Sequence, residues 1–178
     1  HFILSSGLHS DQYVQCARLL SHPKIDEKIC SSLCEKIKEK FRKINIILSP
    51  AIGGIVVGYE VGRQLGIETI FAEKSEGKLI LRIDFKIPKN SNVLIVEDVI
   101  TTGKSALECS EIVKSNKAKL VGYACIIDRS NTKVLIKEKI VSQIKFEIKT
   151  FRKDELPNEL KNLPALKPGS NNLLKRIK

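Results

Sequence analysis

Residues 92–116 constrain the fold more than any other part of the sequence. The run Asn92–Val96 (NVLIV) is continuous and rich in β-branched residues, which is typical of a central parallel strand covered on both faces. Two carboxylates, Glu97 and Asp98, follow this run, and a short polar loop leads into a helix predicted over 103–116. Because buried parallel strands alternate with helices in open sheets, the segment predicts an α/β fold with a doubly wound, mainly parallel sheet.

The rest of the chain supplies further elements of the same kind. Apolar residues spaced by four predict an amphipathic helix over 24–43. Glycines spaced by four predict a second helix with a bare face that packs closely on the sheet, at Gly54, Gly58, Gly62 and Gly66. The remaining apolar runs predict strands over 45–48, 68–72 and 120–127, a hairpin arm over 78–85 and an edge strand over 140–151.

The length of 178 residues predicts a single domain over 1–178. The chain contains no Met and begins with His1, so we expect that the natural start of the protein is missing from it. Residues 161–178 contain five basic and no acidic residues together with Pro and Gly, which predicts a loosely held basic tail.

The formal net charge of +11 favours anionic ligands without choosing among metabolites, nucleic acid and acidic membranes. No apolar run approaches the ~20 residues that cross a bilayer, and no signal peptide is visible, so we expect a cytoplasmic protein without membrane contact. The five cysteines are odd in number and scattered, which argues against a disulfide framework. Cys30 and Cys34 lack a second ligand pair for zinc, so we interpret them as buried apolar residues.

The segment 93–108 (VLIVEDVITTGKSALE) carries the chemistry. Its loop places hydroxyls and backbone N–H groups at a helix N-terminus, where a phosphate binds well. A nucleotide triphosphatase loop would need Gly where this chain has Asp98, so that interpretation fails. Two carboxylates beside a phosphate site instead suit the vicinal hydroxyls of a ribose 5-phosphate that carries a second anionic group.

This segment resembles the phosphoribosyl pyrophosphate motif of the type I phosphoribosyltransferases. Further segments resemble the orotate phosphoribosyltransferase family and together span most of the chain: FILSSGLHS (2–10), SPAIGG (49–54), FAEK (71–74), IIDR (126–129) and ALKPGS (165–170). In that family the fold carries a small N-terminal hood and a flexible β-hairpin loop. The resemblance implies the transfer of a phosphoribosyl group from phosphoribosyl pyrophosphate to orotate, with Mg²⁺ as cofactor, in the synthesis of UMP.

The resemblance also implies roles for individual residues. Phosphoribosyl pyrophosphate would bind at Glu97, Asp98, Val99, Ile100, Thr101, Thr102, Gly103, Lys104 and Ser105. Orotate would bind at Thr101, Arg129, Tyr13 and His9. Asp98, Lys74 and Lys78 would be catalytic, and Lys78 and Arg82 would belong to the mobile loop. No residue is expected to bind metal directly, because Mg²⁺ would be held mainly through the substrate.

The mobile loop in this family usually closes over the active site of a neighbouring subunit, so the resemblance implies a homodimer with shared loops. Three positions depart from some family members. His9 stands where they have Lys, Ile52-Gly53 stands where a Lys follows the Pro-Ala pair, and Glu73 stands where a basic residue is common. The last departure places an acidic residue next to the basic residues assigned to the mobile loop, Lys74, Lys78 and Arg82.

Two alternatives remain open at this point. A purine or uracil phosphoribosyltransferase would keep residues 93–108, yet a purine enzyme would lack the Ser-Gly-x-x-Ser start and the Asp128-Arg129 pair that are present here. A phosphoribosyltransferase-like regulator that binds nucleic acid would suit the charge of +11. The given sequence contains no DNA-reading segment, so we expect no nucleic-acid partner.

Overall fold

The computed structural model describes residues 1–4, 6–130 and 134–168. The chain groups into two compact units, one formed by His1–Gln15 and the chain from Glu147 onward, the other by Cys16–Phe146. The expectation of one domain over 1–178 stays a prediction. In chain order the elements are β1 (Phe2–Ile3), β2 (His9–Ser10), α1 (Cys16–Leu20), α2 (Pro23–Lys40), β3 (Ile46–Pro50), α3 (Gly53–Leu65), β4 (Glu68–Ser75), β5 (Lys78–Leu81), β6 (Asn92–Ile100), α4 (Lys104–Ser115), β7 (Lys119–Asp128), β8 (Ile140–Lys145) and α5 (Asn158–Lys161).

The larger unit is built on a six-stranded sheet with the order β5-β4-β3-β6-β7-β8. All neighbouring strands are parallel except β4 and β5, which form an antiparallel hairpin at one edge. Because parallel strands share one direction, the carboxyl ends of β3, β4, β6 and β7 lie along a single edge of the sheet. In open α/β sheets this edge binds ligands.

Helices cover both faces of this sheet. Ile46, Leu48 and Ile95 pack in one cluster with Cys109 and Val113 of α4. Side chains alternate along a strand, so Ile47, which is fully buried, faces the other way, where α3 packs on β3. The doubly wound, mainly parallel α/β sheet predicted from the sequence is confirmed.

The glycine face of α3 lies directly on the sheet at Gly54, Gly58 and Gly62, as predicted, whereas Gly66 follows the helix in a left-handed conformation and has no neighbour against it. A Cβ atom built on Gly54 would lie 3.2 Å from the carbonyl oxygen of Val96. A Cβ on Gly58 would overlap the side chain of Ser49, whose own Cβ would be 3.0 Å away. Glycines at these positions therefore allow the helix backbone to approach the carboxyl end of β3.

Most predicted boundaries agree with the structure to within three residues, and three differ more. β5 ends at Leu81 instead of 85. β6 continues four residues past the predicted Val96, because Glu97, Val99 and Ile100 keep pairing with β7. β8 ends at Lys145 instead of 151, since the chain from Glu147 onward belongs to the smaller unit. β8 does lie at the edge of the sheet, as predicted.

The smaller unit contains a two-stranded antiparallel sheet, β1 with β2, where the family resemblance implies a hood. Leu166 donates a backbone hydrogen bond to His1 and accepts one from Ile3, both of 2.8 Å. The segment expected to be a loose tail is therefore anchored at Leu166, while residues 169–178 of that prediction lie outside the described part. None of the helices within the described ranges combines the length and the apolar character that a membrane span requires.

Candidate active site

Glu97 and Asp98 lie in β6 near the carboxyl edge of the sheet and face opposite sides of it. Burial and, to a smaller extent, the charge of Asp98 together raise the pKa of Glu97 to about 8, against the lowering effect of a hydrogen bond with the Ser105 hydroxyl. Burial also raises the pKa of Asp98, against the effect of two backbone N–H groups, those of Val99 and of Asp98 itself. Glu97 thus faces the start of α4, and Asp98 faces the loop that begins α3.

The loop between β3 and α3 contacts the carboxylate of Asp98. A Cβ atom built on Gly53 would lie 2.8 Å from each carboxylate oxygen, closer than real Cβ atoms come to any neighbour. Ala51 donates a 2.6 Å backbone hydrogen bond to Ala72, which ties this loop to β4. The sequence marks 49–54 as a family segment but does not predict that Gly53 packs on Asp98; the signal for this contact was the Gly53-Gly54 pair.

Residues 101–103 form the turn from β6 into α4, and Lys104 and Ser105 begin the helix. The assignment of residues 101–105 to a phosphate stays a prediction. Gly103 precedes the helix with a φ of 79°, a left-handed conformation that suits glycine, and a Cβ there would lie 2.7 Å from Ile136. Leu135, in the segment between β7 and β8, donates a 3.1 Å backbone hydrogen bond to Thr102 and so connects this segment to the turn. Thr101, Thr102 and Lys104 are exposed at this helix N-terminus, where an anion is stabilised.

The hairpin of β4 and β5 carries the basic residues assigned to the mobile loop. Its tight turn has two residues with positive φ, Glu76 and Gly77, as expected for a two-residue connection. The register pairs Lys74 with Leu79 and Ser75 with Lys78. Cross-strand partners share a face, so Lys74 and Lys78 lie on opposite faces of the hairpin.

Arg82 lies at the base of the hairpin, where it forms an ion pair with Glu73 at 2.8 Å. This pair raises the pKa of Arg82. The unusual acidic residue that the sequence places in this loop is therefore the partner of its third cation. Exposed pairs of this kind contribute little to stability, so the pair fixes orientation more than it stabilises the fold.

Arg129 follows β7 at the same edge of the sheet as Asp98. Its backbone N–H donates a 2.8 Å hydrogen bond to Ile100, which places it beside the loop that follows β6. Cys16 lies behind the acidic pair, with Sγ 4.0 Å from the carbonyl oxygen of Asp98. Burial and the charge of Asp98 raise the pKa of Cys16 to about 12 against the opposing charge of Arg129, so the three residues are electrostatic neighbours.

His9 and Tyr13 belong to the smaller unit. His9 is buried in β2, with Nδ1 lying 2.6 Å from Nε2 of His1. The Tyr13 hydroxyl donates a 2.7 Å hydrogen bond to Gln15, and its ring lies 5.8 Å from that of Phe2. Their assignment to orotate stays a prediction.

An acidic pair in a central strand, a glycine loop against it and a polar turn into the next helix define the site of a type I phosphoribosyltransferase. Residues 16–156 match the model of the phosphoribosyl transferase domain. The orotate phosphoribosyltransferase of Chlorobaculum parvum is 46% identical over 172 residues, which are 96% of this chain and 87% of that protein. That of Caldanaerobacter subterraneus is 43% identical over 173 residues, 97% of this chain and 90% of that protein. The chain belongs to the orotate phosphoribosyltransferase family.

Solved structures share the fold at lower identity. The orotate phosphoribosyltransferase from Aeropyrum pernix superimposes with a TM-score of 0.69 at 24% identity, covering 81% of this chain and 84% of that one. The adenine phosphoribosyltransferase from Saccharomyces cerevisiae gives 0.64 at 21% identity, covering 77% and 94%. Because enzymes for different bases share this scaffold, the family assignment rests on the sequence relatives.

Proposed function

We propose that this chain transfers the phosphoribosyl group from phosphoribosyl pyrophosphate to orotate, giving orotidine 5′-monophosphate and pyrophosphate in UMP biosynthesis. The observation that carries the proposal is the Glu97 and Asp98 pair, set between the glycine loop of α3 and the turn into α4. Orotate phosphoribosyltransferases that are 43% and 46% identical over nearly the whole chain support orotate as the acceptor.

The acidic pair and the turn after it bind different parts of the donor substrate. The two carboxyl groups accept hydrogen bonds from the ribose hydroxyls, and residues 101–105 receive the 5′-phosphate through backbone N–H groups and hydroxyls. With a pKa near 8, Glu97 is largely protonated at neutral pH and is able to donate as well as accept. Asp98 then supplies the negative charge that favours an oxocarbenium-like transition state.

Basic residues on the hairpin compensate the charge that grows on the leaving pyrophosphate. Lys74 and Lys78 are exposed at its tip, next to the strand end that pairs with Pro50 and Ala51 of the β3 loop. Arg82 contributes from the hairpin base, where Glu73 orients it. Closure of such a hairpin would exclude water that hydrolyses an activated sugar.

Orotate binds on the side of the ribose opposite to the leaving pyrophosphate. Arg129, beside the end of β6, pairs with the carboxylate of orotate, and Thr101 contacts its ring. Tyr13 and His9 are the further orotate contacts that the family resemblance implies. No nucleophile is required, because the bond from the base nitrogen to C1 forms as the bond to pyrophosphate breaks.

Mg²⁺ fits this site as a partner of the substrate. Within the described ranges no three His, Cys, Asp or Glu side chains come together as a metal cage. Glu97 and Asp98 are hard oxygen donors but only two in number, and Mg²⁺ commonly binds one or two carboxylates together with substrate phosphates. The ion would be held mainly through the substrate and would offset charge on the pyrophosphate.

Orotate consumption tests the proposal. The fall in ultraviolet absorbance of orotate is followed after mixing the chain with Mg²⁺ and phosphoribosyl pyrophosphate, for wild type, Asp98→Asn and Lys78→Ala. We expect turnover by wild type and a loss of at least about 100-fold in Asp98→Asn, because one electrostatic group of this kind contributes about 10²–10³ to the rate. Asp26→Asn, a buried carboxyl of α2, is the matched control and keeps the wild-type rate. Turnover with adenine or uracil but not orotate would refute the substrate.

We also propose a cytoplasmic homodimer that shares its hairpins. Ile52, Val56 and Tyr59 form an exposed apolar stripe that begins in the site loop and continues along α3, with 83%, 47% and 65% of their surfaces exposed. A stripe of this kind suits a second copy of the chain. The five cysteines are free thiols, as expected in a reducing compartment.

Subunit mixing tests the shared hairpin. Lys78→Ala and Asp98→Asn subunits are each deficient, yet a hybrid dimer restores one complete site when the hairpin acts across the interface. We expect mixed subunits to regain up to about a quarter of the wild-type activity at random exchange. Mixtures that stay as inactive as their parents, together with a monomer in sedimentation, would contradict the shared-loop proposal.

A further inference from the structure

The two histidines of the smaller unit are joined by a short hydrogen bond. Nε2 of His1 lies 2.6 Å from Nδ1 of His9, and the ring centroids are 4.9 Å apart with the planes tilted by 46°. The backbone of His9 is fixed, because it pairs with Ile3 and exchanges two 2.9 Å hydrogen bonds with Phe151. The position of the His9 ring is therefore set by both its backbone and its neighbour.

A third contact sets the direction of the bond between the rings. Nδ1 of His1 lies 3.2 Å from the carbonyl oxygen of Leu163, which only accepts, so this nitrogen carries the hydrogen. A neutral imidazole has one N–H, and Nε2 of His1 therefore presents a lone pair. Nδ1 of His9 must be the donor to it, which leaves the lone pair of His9 on Nε2.

We propose that His1 is a positioning residue, which holds the proton of His9 on Nδ1 and presents Nε2 of His9 to the substrate. The inference rests on the proposed function, in which His9 contacts orotate. Nε2 accepts a hydrogen bond from an N–H group while Nδ1 keeps its bond to His1. A lysine ammonium, which some family members have at this position, only donates.

Nitrogen NMR of the imidazole rings reads the proton position directly. The chain has three histidines, so the loss of one signal set in each single variant assigns all of them. At pH 8, where ordinary imidazole is neutral, we expect His9 to carry its hydrogen on Nδ1 in wild type and to lose this preference in His1→Phe. A wild-type His9 protonated on Nε2, or no change in His1→Phe, would overturn the proposal.

Kinetics tests the consequence for substrate binding. His1→Phe is expected to raise KM for orotate about fivefold, the equivalent of one neutral hydrogen bond of about 1 kcal/mol, with KM for phosphoribosyl pyrophosphate unchanged. His1→Gln keeps a donor and an acceptor and is expected to restore most of the loss. His22→Phe, at the exposed start of α2, is the matched control.

An equal rise of both KM values with a lowered unfolding temperature would indicate a merely structural role and would overturn the proposal. A wild type that binds but does not convert orotate would instead refute the proposed function, and the NMR signals would still decide where His9 holds its proton.

Discussion

Replacing Gly53 by Ala places a methyl group against the carboxylate of Asp98. The added Cβ would lie 2.8 Å from both carboxylate oxygens and 3.0 Å from Cγ, whereas ordinary contacts begin at 3.4 Å. The carboxylate or the loop must therefore move by about 0.6 Å. A misplacement of ~1 Å costs up to about 100-fold in rate, so we expect kcat/KM to fall about tenfold in Gly53→Ala.

Stability should not fall with activity. Gly53 is the first residue of α3, and Ala is favoured over Gly in helices by up to about 1 kcal/mol. We therefore expect an unfolding temperature equal to or above that of wild type, measured by circular dichroism beside the orotate assay.

A double-mutant cycle then isolates the cause of the loss. In an Asp98→Ala background the methyl group has room, so Gly53→Ala should cost little further activity. A full tenfold loss in that background, or an unchanged rate in the single variant, would refute the contact between Gly53 and Asp98 as the reason.

Three further predictions concern stability and reactivity. Because Glu97 has a pKa of about 8 in the fold against an ordinary value of 4.5, the folded chain binds more protons than the unfolded one between these pH values. The free energy of unfolding should fall as pH rises from about 4.5 to 8, and Glu97→Gln should flatten this part of the slope in urea titrations. Gly58→Ala should destabilise by about 1–3 kcal/mol through overlap with Ser49, and Ser49→Gly should restore most of the loss; no restoration would contradict the packing. All five cysteines are buried, so the native chain should be inert to a thiol reagent at pH 8 and should react fully in denaturant; fast reaction of the native chain would argue against their burial.

The sequence was most informative where a single period governs the structure. The run 92–96 predicted a buried strand and the glycines of α3 predicted a close-packed helix. Both predictions succeeded because strand burial requires apolar residues and close helix packing requires small ones. Strand boundaries that depend on pairing with a partner strand were harder to predict from the sequence. β6 continues through Glu97 and Asp98 because Glu97, Val99 and Ile100 pair with β7, and nothing in the two acidic residues themselves signals a strand.

The sequence also did not predict contacts between residues that are far apart along the chain. The motif placed Asp98 in the site, but only the fold shows that Gly53 packs on its carboxylate. Glu73 looked like a departure from a basic loop, and the structure makes it the partner of Arg82 across the hairpin. Both relations join residues from different segments, so no local pattern predicts them.

The opposite orientation of Lys74 and Lys78 affects how fast a polyanion reaches this site. With one ammonium group on each face of the hairpin, positive potential extends to both sides of a thin, exposed loop. A phosphorylated substrate is then attracted from a wider range of approach directions than two lysines on one face would allow. Since the Debye length is about 10 Å at 0.1 M salt, this attraction is screened as ionic strength rises, and the association rate constant should fall with it.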